Sequence, residues 1–354
     1  MDLDRLDTVL KDLGQPAYRA RQIKLAVYRD LAQGYDDIPT IPRSLRRELA
    51  VRMLFDELRL ETSRRSPDGA TKNLFLTQDS LAIESVLIPH ESGSRTVCVS
   101  TEAGCQIGCT FCATGHLGFQ RTLTPFEIAD QVLFFARQLK AAGEKVSNVV
   151  FMGMGEPFLN YENVRSAIML LNDPEALGLG QRRISVSTSG IVPGIERFTQ
   201  EQWQVNLAVS LHAPSDTLRS QLMPINRTYP LGTLMPALDR YVAVTNRRLM
   251  LEYLLLGGIN DSTDDARQLA DLVRAWPNVS RLGLVNLLTY NPTRDTYGHW
   301  DAFKGPSERT LATFEDTLTA RGIPWTRRVS FGSDIGGACG QLAGEAASPR
   351  NTRL

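Results

Sequence analysis

Five cysteines carry the chemistry this sequence can do, and they divide unevenly. Cys105, Cys109 and Cys112 form C-x₃-C-x₂-C, Cys98 lies seven residues upstream, and Cys339 stands alone in FGSDIGGACGQLAG. A cube of four irons and four sulfides is ordinarily held by four thiolates. Three close thiolates without a nearby fourth leave one iron open to a substrate or cofactor. Zinc also takes clustered thiolates, but it wants four ligands, usually two C-x₂-C pairs or cysteines with histidine. Only one C-x₂-C pair exists here, and His116 falls in no zinc-ligand spacing. Phe111, next to Cys112, would shield a cluster from water and so help set its potential. The spacing points to an iron–sulfur cluster at Cys105, Cys109 and Cys112, ahead of zinc or merely structural thiols.

A second set of residues has the types that bind a small polar cofactor. In Gly153-Met154-Gly155-Glu156-Pro157, glycines allow close backbone approach, and Glu156 or exposed carbonyls can receive a cationic amino group. Ser187 and Ser189 in VSTSG, Ser210 and His212 in VSLHAP, and Asn291 in YNP offer hydroxyl, imidazole and amide groups. Taken singly, each reads as a turn or cap residue. Their shared position along the chain changes that reading.

That position emerges from the periodicity. From Thr96 onward, apolar strand-like runs occur at Val97–Val99, Val149–Met152, Ile184–Val186, Val205–Ser210, Leu249–Leu256 and Leu282–Leu288. Helical patterns at Thr124–Ala141, Tyr161–Leu171, Ser215–Met223, Leu231–Thr245 and Ser262–Ala275 separate them. Strands alternating with helices predict parallel pairing, hence an α/β sheet or incomplete barrel. Sites in such folds gather at the C-terminal ends of the strands. The cysteine loop, GMGEP, STSG, SLH and YNP all follow strands in this way.

The first part of the chain differs. Leu3, Leu6, Val9 and Leu10 recur at helical spacing, Tyr18–Leu31 is a second helical pattern carrying Arg19, Arg21 and Lys24, and Ser44 is placed to cap a third through Leu54. Short strands are expected at Leu58–Ser63, Lys72–Leu76 and Leu81–Ile88, the first two joined by the polar turn Arg64–Gly69. The expected organisation is an accessory module over residues 1–85, a catalytic domain over 86–345 that includes the Cys339 loop, and a tail over 346–354. The basic helices of the module face either RNA or plain solvent.

Composition sets outer bounds. With 354 residues, 42% apolar and 22% charged, the chain can bury a sizeable core. A formal net charge of zero argues against a protein that coats nucleic acid, while leaving room for a local basic face. The acidic, amphipathic start MDLDRLDTVLKDLG is unlike a signal peptide, and no apolar run of about 18 residues appears. Clustered thiols in odd number fit a reducing compartment. The expectation is a cytoplasmic protein without a membrane partner.

C-x₃-C-x₂-C after a strand resembles the signature of radical S-adenosylmethionine (SAM) enzymes. CVSTEAGC, FCATG, VVFMGMGEP, RRISVSTSGIVPGI, VNLAVSLHAPSDTLRSQLMPIN, YNP and ACGQLAG together resemble the RlmN/Cfr RNA adenosine methyltransferases over nearly the full chain. The resemblance implies an incomplete (β/α)₆ barrel, a [4Fe–4S] cluster on the three clustered cysteines, and SAM held by Gly155, Glu156, Ser187, Ser210, Leu211, His212 and Asn291. It implies Cys339 as the residue that becomes S-methylcysteine, Cys98 as the thiol that resolves the protein–RNA adduct through a disulfide with Cys339, and Glu84 as general base. Read without the family, Glu84 is an ordinary polar residue on the outer face of a strand. The chemistry needs such a route, because an adenine ring carbon is electrophilic and closed to ordinary methyl transfer.

The implied substrate is C2 of an adenosine in 23S rRNA, with tRNA as the family's second substrate and an external donor, flavodoxin-like or ferredoxin-like, supplying electrons. The rival within the family is methylation of C8, and outside it a non-catalytic iron–sulfur or zinc RNA-binding protein. Two stretches depart from the common family form: GSDIGGACGQL stands for GDDIDAACGQL, and LLTYNP for LIPYNP.

Overall fold

The computed structural model describes residues 1–293 and 303–343. The expected tail therefore lies outside the described residues.

One ten-stranded sheet organises the chain, with a separate two-stranded hairpin beside it. Strands β1 (Arg59–Arg65), β2 (Thr71–Leu76), β3 (Ala82–Pro89) and β4 (Arg95–Cys98) run antiparallel in sequence order. The sheet then continues in parallel through β7 (Asn148–Phe151), β8 (Ile184–Thr188), β9 (Asn206–Ser210), β10 (Leu249–Leu255), β11 (Gly283–Thr289) and β12 (Trp325–Arg327). The hairpin pairs β5 (Glu102–Gly104) with β6 (Phe119–Thr122) and brackets the cysteine loop. No ladder joins β12 back to β1 among the described residues, so the parallel part is a barrel wall left open on one side.

The parallel strands are two-faced, which fixes where the lumen is. Val97, Val149, Phe151, Ile184, Val186, Leu207, Val209, Leu249 and Leu251 are fully buried on one face. The alternate positions (Cys98, Ser185, Ser187, Ser210, Glu252, Asn286) share the other face by register. Helices cover the apolar face: α5 (Pro125–Ala141), α6 (Tyr161–Asn172), α7 (Val192–Gln200), α9 (Leu231–Thr245) and α10 (Thr263–Arg274), with a later helix at Glu308–Ala320. The α5 start is set by a capping box, in which the Thr124 side chain accepts from Glu127 N–H and Glu127 returns to Thr124 N–H. The short α8 (Asp216–Leu222) follows β9.

Most expected elements are present within a residue or two. The α1 helix spans Leu3–Asp12; α2 runs Tyr18–Lys24 and then widens into a π-turn over Leu25–Arg29; α3 is Arg43–Arg52, with Pro42 rather than Ser44 at its N-cap position. The first hairpin strand extends through Arg64 and Arg65, so the turn is tighter than expected. Strand β12 and helix α7 carry no clean apolar period: TRR reads as a polar end, and Pro193 and Gly194 hide a helix that buries Ile195 and Phe198. The expected division after residue 85 falls inside β3, whose ladder to β4 is continuous with the main sheet. Residues of α1–α3 share the main hydrophobic core, and Asp130 of α5 accepts from the Glu57 and Leu58 N–H groups.

Candidate active site

The cysteine loop leaves β4 immediately after Cys98 and is locked to the loop following β7. Thr101 and Glu102 N–H groups both donate to the Met154 carbonyl (2.8 and 3.2 Å). Gly155 has φ +98°, and a Cβ there would stand 2.6 Å from the Glu102 side chain, so only glycine fits. The Glu156 N–H donates to Glu102 Oε2 (3.1 Å), while the Glu156 carboxylate accepts from Ser189 N–H (2.6 Å) and Phe158 N–H (3.0 Å). Burial raises the pKa of the Glu156 carboxyl against these hydrogen bonds. Glu102 has fewer such donors, and burial pushes it up to about 7.

The strand ends opposite are tied by one fully buried arginine. The Arg219 guanidinium, on α8, donates to the carbonyls of Ser189 (2.6 Å), Ser210 (3.1 Å) and Leu211 (3.1 Å) and to Asn226 Oδ1 (2.8 Å). Burial brings its pKa down to about 10. His212 adopts φ +57°, accepts at Nδ1 from Leu254 N–H (3.0 Å) and packs edge-on against Phe111 (5.1 Å). Burial lowers its pKa to about 3, so the ring is neutral with its proton on Nε2. Leu211 is a core residue whose backbone carbonyl, rather than its side chain, is engaged.

A cavity of about 170 Å³ collects Cys105, Cys109, Cys112, Glu156, Ser187, Ser210 and His212. Gly155 lines it as well; Asn291 is not in its lining but donates to the carbonyl of Cys339, which is, at 3.5 Å. Burial raises the pKa of the three thiols, Cys105 to about 12 and Cys109 well above its ordinary value; Cys112 raises Cys105 and Cys109 further, Cys105 adds to Cys109, and Cys339 adds to Cys112. Bare thiolates in such a place are costly unless a cationic group takes them. Glu252 adds a buried Oε2 without a hydrogen-bond partner among the described residues. This donor set fits an iron–sulfur group and a polar cofactor. No three metal-binding side chains are gathered around a single ion among the described residues. A cube spreads its thiolates over separate irons and needs no such convergence.

A second cavity, of about 700 Å³, shares Cys112, Met152, Gly153, Arg328 and Cys339 with the first and adds Cys98. Cys98, on β4, and Cys339, from the far end of the chain, thus line one space. Burial and the neighbouring Cys339 raise the Cys98 pKa to about 12, against the pull of Arg328. Arg328 follows β12, donates to Met152 Sδ (3.2 Å), and has its own pKa raised chiefly by Cys339, with Glu252 and Cys98 adding to it.

Glu84 lies in neither cavity wall but is fully buried on β3, on the same sheet face as Cys98. Its Oε1 pairs with Lys72 Nζ (3.0 Å), and its Oε2 accepts from Ala343 N–H (2.9 Å), at the end of the Cys339 loop. That loop is held at several other points. Gly332 N–H donates to Asp68 (2.7 Å), Ser66 Oγ to Asp334 (2.6 Å), Ala113 N–H to the Gly340 carbonyl (2.8 Å), and Thr114 Oγ1 to the Leu342 carbonyl.

Sequence reasoning missed Glu102, Arg219, Glu252, Arg328 and Lys72. For Glu252 a lone charge inside an apolar run, LMLEYLLL, was the available signal; the polar stretch DTLRSQLM around Arg219 gave none.

A three-cysteine loop after the first parallel strand, facing strand-end polar groups, is the arrangement of a radical SAM enzyme, and the Radical SAM superfamily model matches residues 99–273. A probable dual-specificity RNA methyltransferase RlmN of Chloroflexus aurantiacus is 45% identical over 99% of this chain and 93% of its own. One of Streptococcus suis is 41% identical over 95% and 89%. The crystal structure of a radical SAM methyltransferase from Sphaerobacter thermophilus matches with a TM-score of 0.90 and 46% identity, covering 97% of each chain. The chain belongs to the RlmN family of radical SAM methyltransferases, whose cofactors are a [4Fe–4S] cluster and SAM. None of its described helices is long and apolar enough to cross a membrane.

Proposed function

We propose that this protein is a cytoplasmic RNA methyltransferase acting on C2 of an adenosine in 23S rRNA, with tRNA as a second substrate, and that Cys339 carries the transferred carbon. The observation that carries this reading is the meeting of Cys98 and Cys339 in one cavity that also touches cluster residue Cys112. The bound cluster and SAM, with electrons from a flavodoxin-like or ferredoxin-like donor, supply the methyl group and the radical chemistry. Cys105, Cys109 and Cys112 would hold the cluster. Gly155, Glu156, Ser187, Ser210, Leu211, His212 and Asn291 would hold SAM.

Within this reading the chain's own residues divide the work. Cys339 takes the one-carbon unit to the ring, and Cys98 forms a disulfide with the Cys339 sulfur as the bond to carbon breaks. Glu84 is the base for the ring proton, with Lys72 as its counter-charge and Ala343 N–H fixing its position. Arg328 supplies positive charge beside both working thiols. The first 85 residues form the accessory module that helps hold RNA, and residues 86–345 the catalytic part.

The test is nucleoside mass spectrometry on RNA treated with anaerobically reconstituted protein, SAM and reductant. A 2-methyladenosine standard should co-elute with the product, Cys339→Ala should remove it, and Cys98→Ala should accumulate a covalent protein–RNA species. Co-elution with 8-methyladenosine would reassign the carbon, and full turnover by Cys339→Ala would end the reading.

A further inference from the structure

The larger cavity does not stop at the two cysteines. It runs down the lumen to the N-terminal ends of the strands, where Thr96, Asn148, Asn206, Arg182 and Arg183 line it. Its volume of about 700 Å³ lies in the range of small-ligand sites, roughly 300–1,000 Å³. The cofactor residues occupy the opposite, C-terminal end in the smaller cavity. The N-terminal end of the barrel, where the cavity is lined by polar and basic groups, is one way in for a substrate that must reach Cys339.

Three guanidinium groups gather at that end, two lining the cavity and the third sharing Gln204 with Arg182. Some arginines on the helical surface are paired with carboxylates, as Arg165 with Glu201, Arg197 with Glu162 and Arg240 with Glu196, whereas Arg19 and Arg281 bond to amide and backbone oxygens. Arg182, Arg183 and Arg247 have no carboxylate partner among the described residues. Arg182 donates to Gln204 Oε1 (3.3 Å), and Arg247 to Gln204 Oε1 (2.8 Å) and Asn206 Oδ1 (2.7 Å), all neutral amides. Amides orient a guanidinium without neutralising it, so its charge stays available to an anion. Arg182 and Arg183 are exposed and adjacent on the turn Gln181–Arg183 that leads into β8. In a chain of zero net charge, such a concentration marks a place for a polyanion.

We propose that the rim formed by Arg182, Arg183 and Arg247 is the RNA entry site, gripping the phosphates that flank the target nucleotide while its base occupies the lumen. This rests on the RNA-substrate reading above. The contacts are to phosphate, so they hold and orient the strand without reading sequence.

The test uses the full-length reconstituted protein and a fluorescent RNA hairpin with an unpaired adenosine, titrated by anisotropy at several salt concentrations. The Arg182→Gln/Arg183→Gln variant should lower the slope of log K against log salt by about two, about one for each lost phosphate contact. Affinity at low salt should fall by about tenfold or more. Equilibrium binding of SAM and the melting temperature should stay at wild-type values, and Arg240→Gln, on a carboxylate-paired surface, should change nothing. An unchanged slope overturns the entry site, whether or not affinity moves, because phosphate contacts cannot be lost without releasing fewer counterions. Wild-type protein that fails to bind the hairpin at any salt overturns the RNA-substrate reading as well.

Discussion

The two walls of the site are built by different physics. The wall with the three clustered cysteines is backbone packed on backbone. A Cβ at Gly153 would stand 2.7 Å from the Val99 carbonyl, and at Gly155 2.6 Å from Glu102. The wall with Cys339 hangs instead from separate polar contacts: Asp68 and Ser66 at its start, Ala113 and Asn291 in the middle, Glu84 at its end. Close-packed backbone moves as a unit or not at all. A loop held by single hydrogen bonds, each worth about 1 kcal/mol net, can shift one contact at a time. On the proposed function, the difference suits a fixed cofactor seat facing a sulfur that meets two partners in turn.

The sharpest way to break this contrast is at its one exception, the buried Lys72–Glu84 pair that anchors the end of the Cys339 wall. Lys72→Met removes the buried counter-charge of Glu84 and should destabilise the protein by about 3–5 kcal/mol, measured by denaturant unfolding. The double variant Lys72→Met/Glu84→Gln should recover most of that. A single variant as stable as wild type would mean that Glu84 is not anchored by charge. Gly155→Val should cost about 3 kcal/mol through strain and overlap, with loss of bound iron and sulfide. Normal cluster content in that variant would contradict a rigid cofactor wall.

Asp68→Ala should be milder and local. Global stability should drop by about 1 kcal/mol or less, while the Gly332 amide exchanges faster and Cys105–Cys112 amides do not. Equal acceleration on both walls would erase the distinction. The smallest effect concerns Glu102, whose folded pKa of about 7 lies above its ordinary 4.5. The fold therefore favours the protonated form. Its stability is unpenalised below pH 4.5, declines as pH rises toward 7, and is level above. Glu102→Gln should raise the melting temperature of the cluster-free protein more at about pH 8 than at about pH 5. A pH-independent difference would place the Glu102 carboxyl in an ordinary, solvated setting.

Much of the cofactor wall was readable because its information is local. Strand, cysteine loop and glycine loop are each a few residues of contiguous pattern, and the positions after strands followed from periodicity alone. The polar partners were not readable. Glu252 looks like one charge in an apolar strand until the register places it beside Ser210 and Asn286 on the lumen face. Strand β12 was invisible because three residues, two of them polar at the surface, carry no period.

By itself the sequence determined a cluster-binding loop with an open position, the alternation of strands and helices, and the isolation of Cys98 and Cys339 from the cluster spacing. The tertiary structure decided that these two cysteines line one cavity, that Glu84 is buried against Lys72, and that Arg182, Arg183 and Arg247 gather at the lumen's far rim, with Gln204 shared by Arg182 and Arg247. The reason is range. Spacing along the chain encodes which residues share a loop or a face, whereas residues hundreds of positions apart meet only through the order and register of the strands between them.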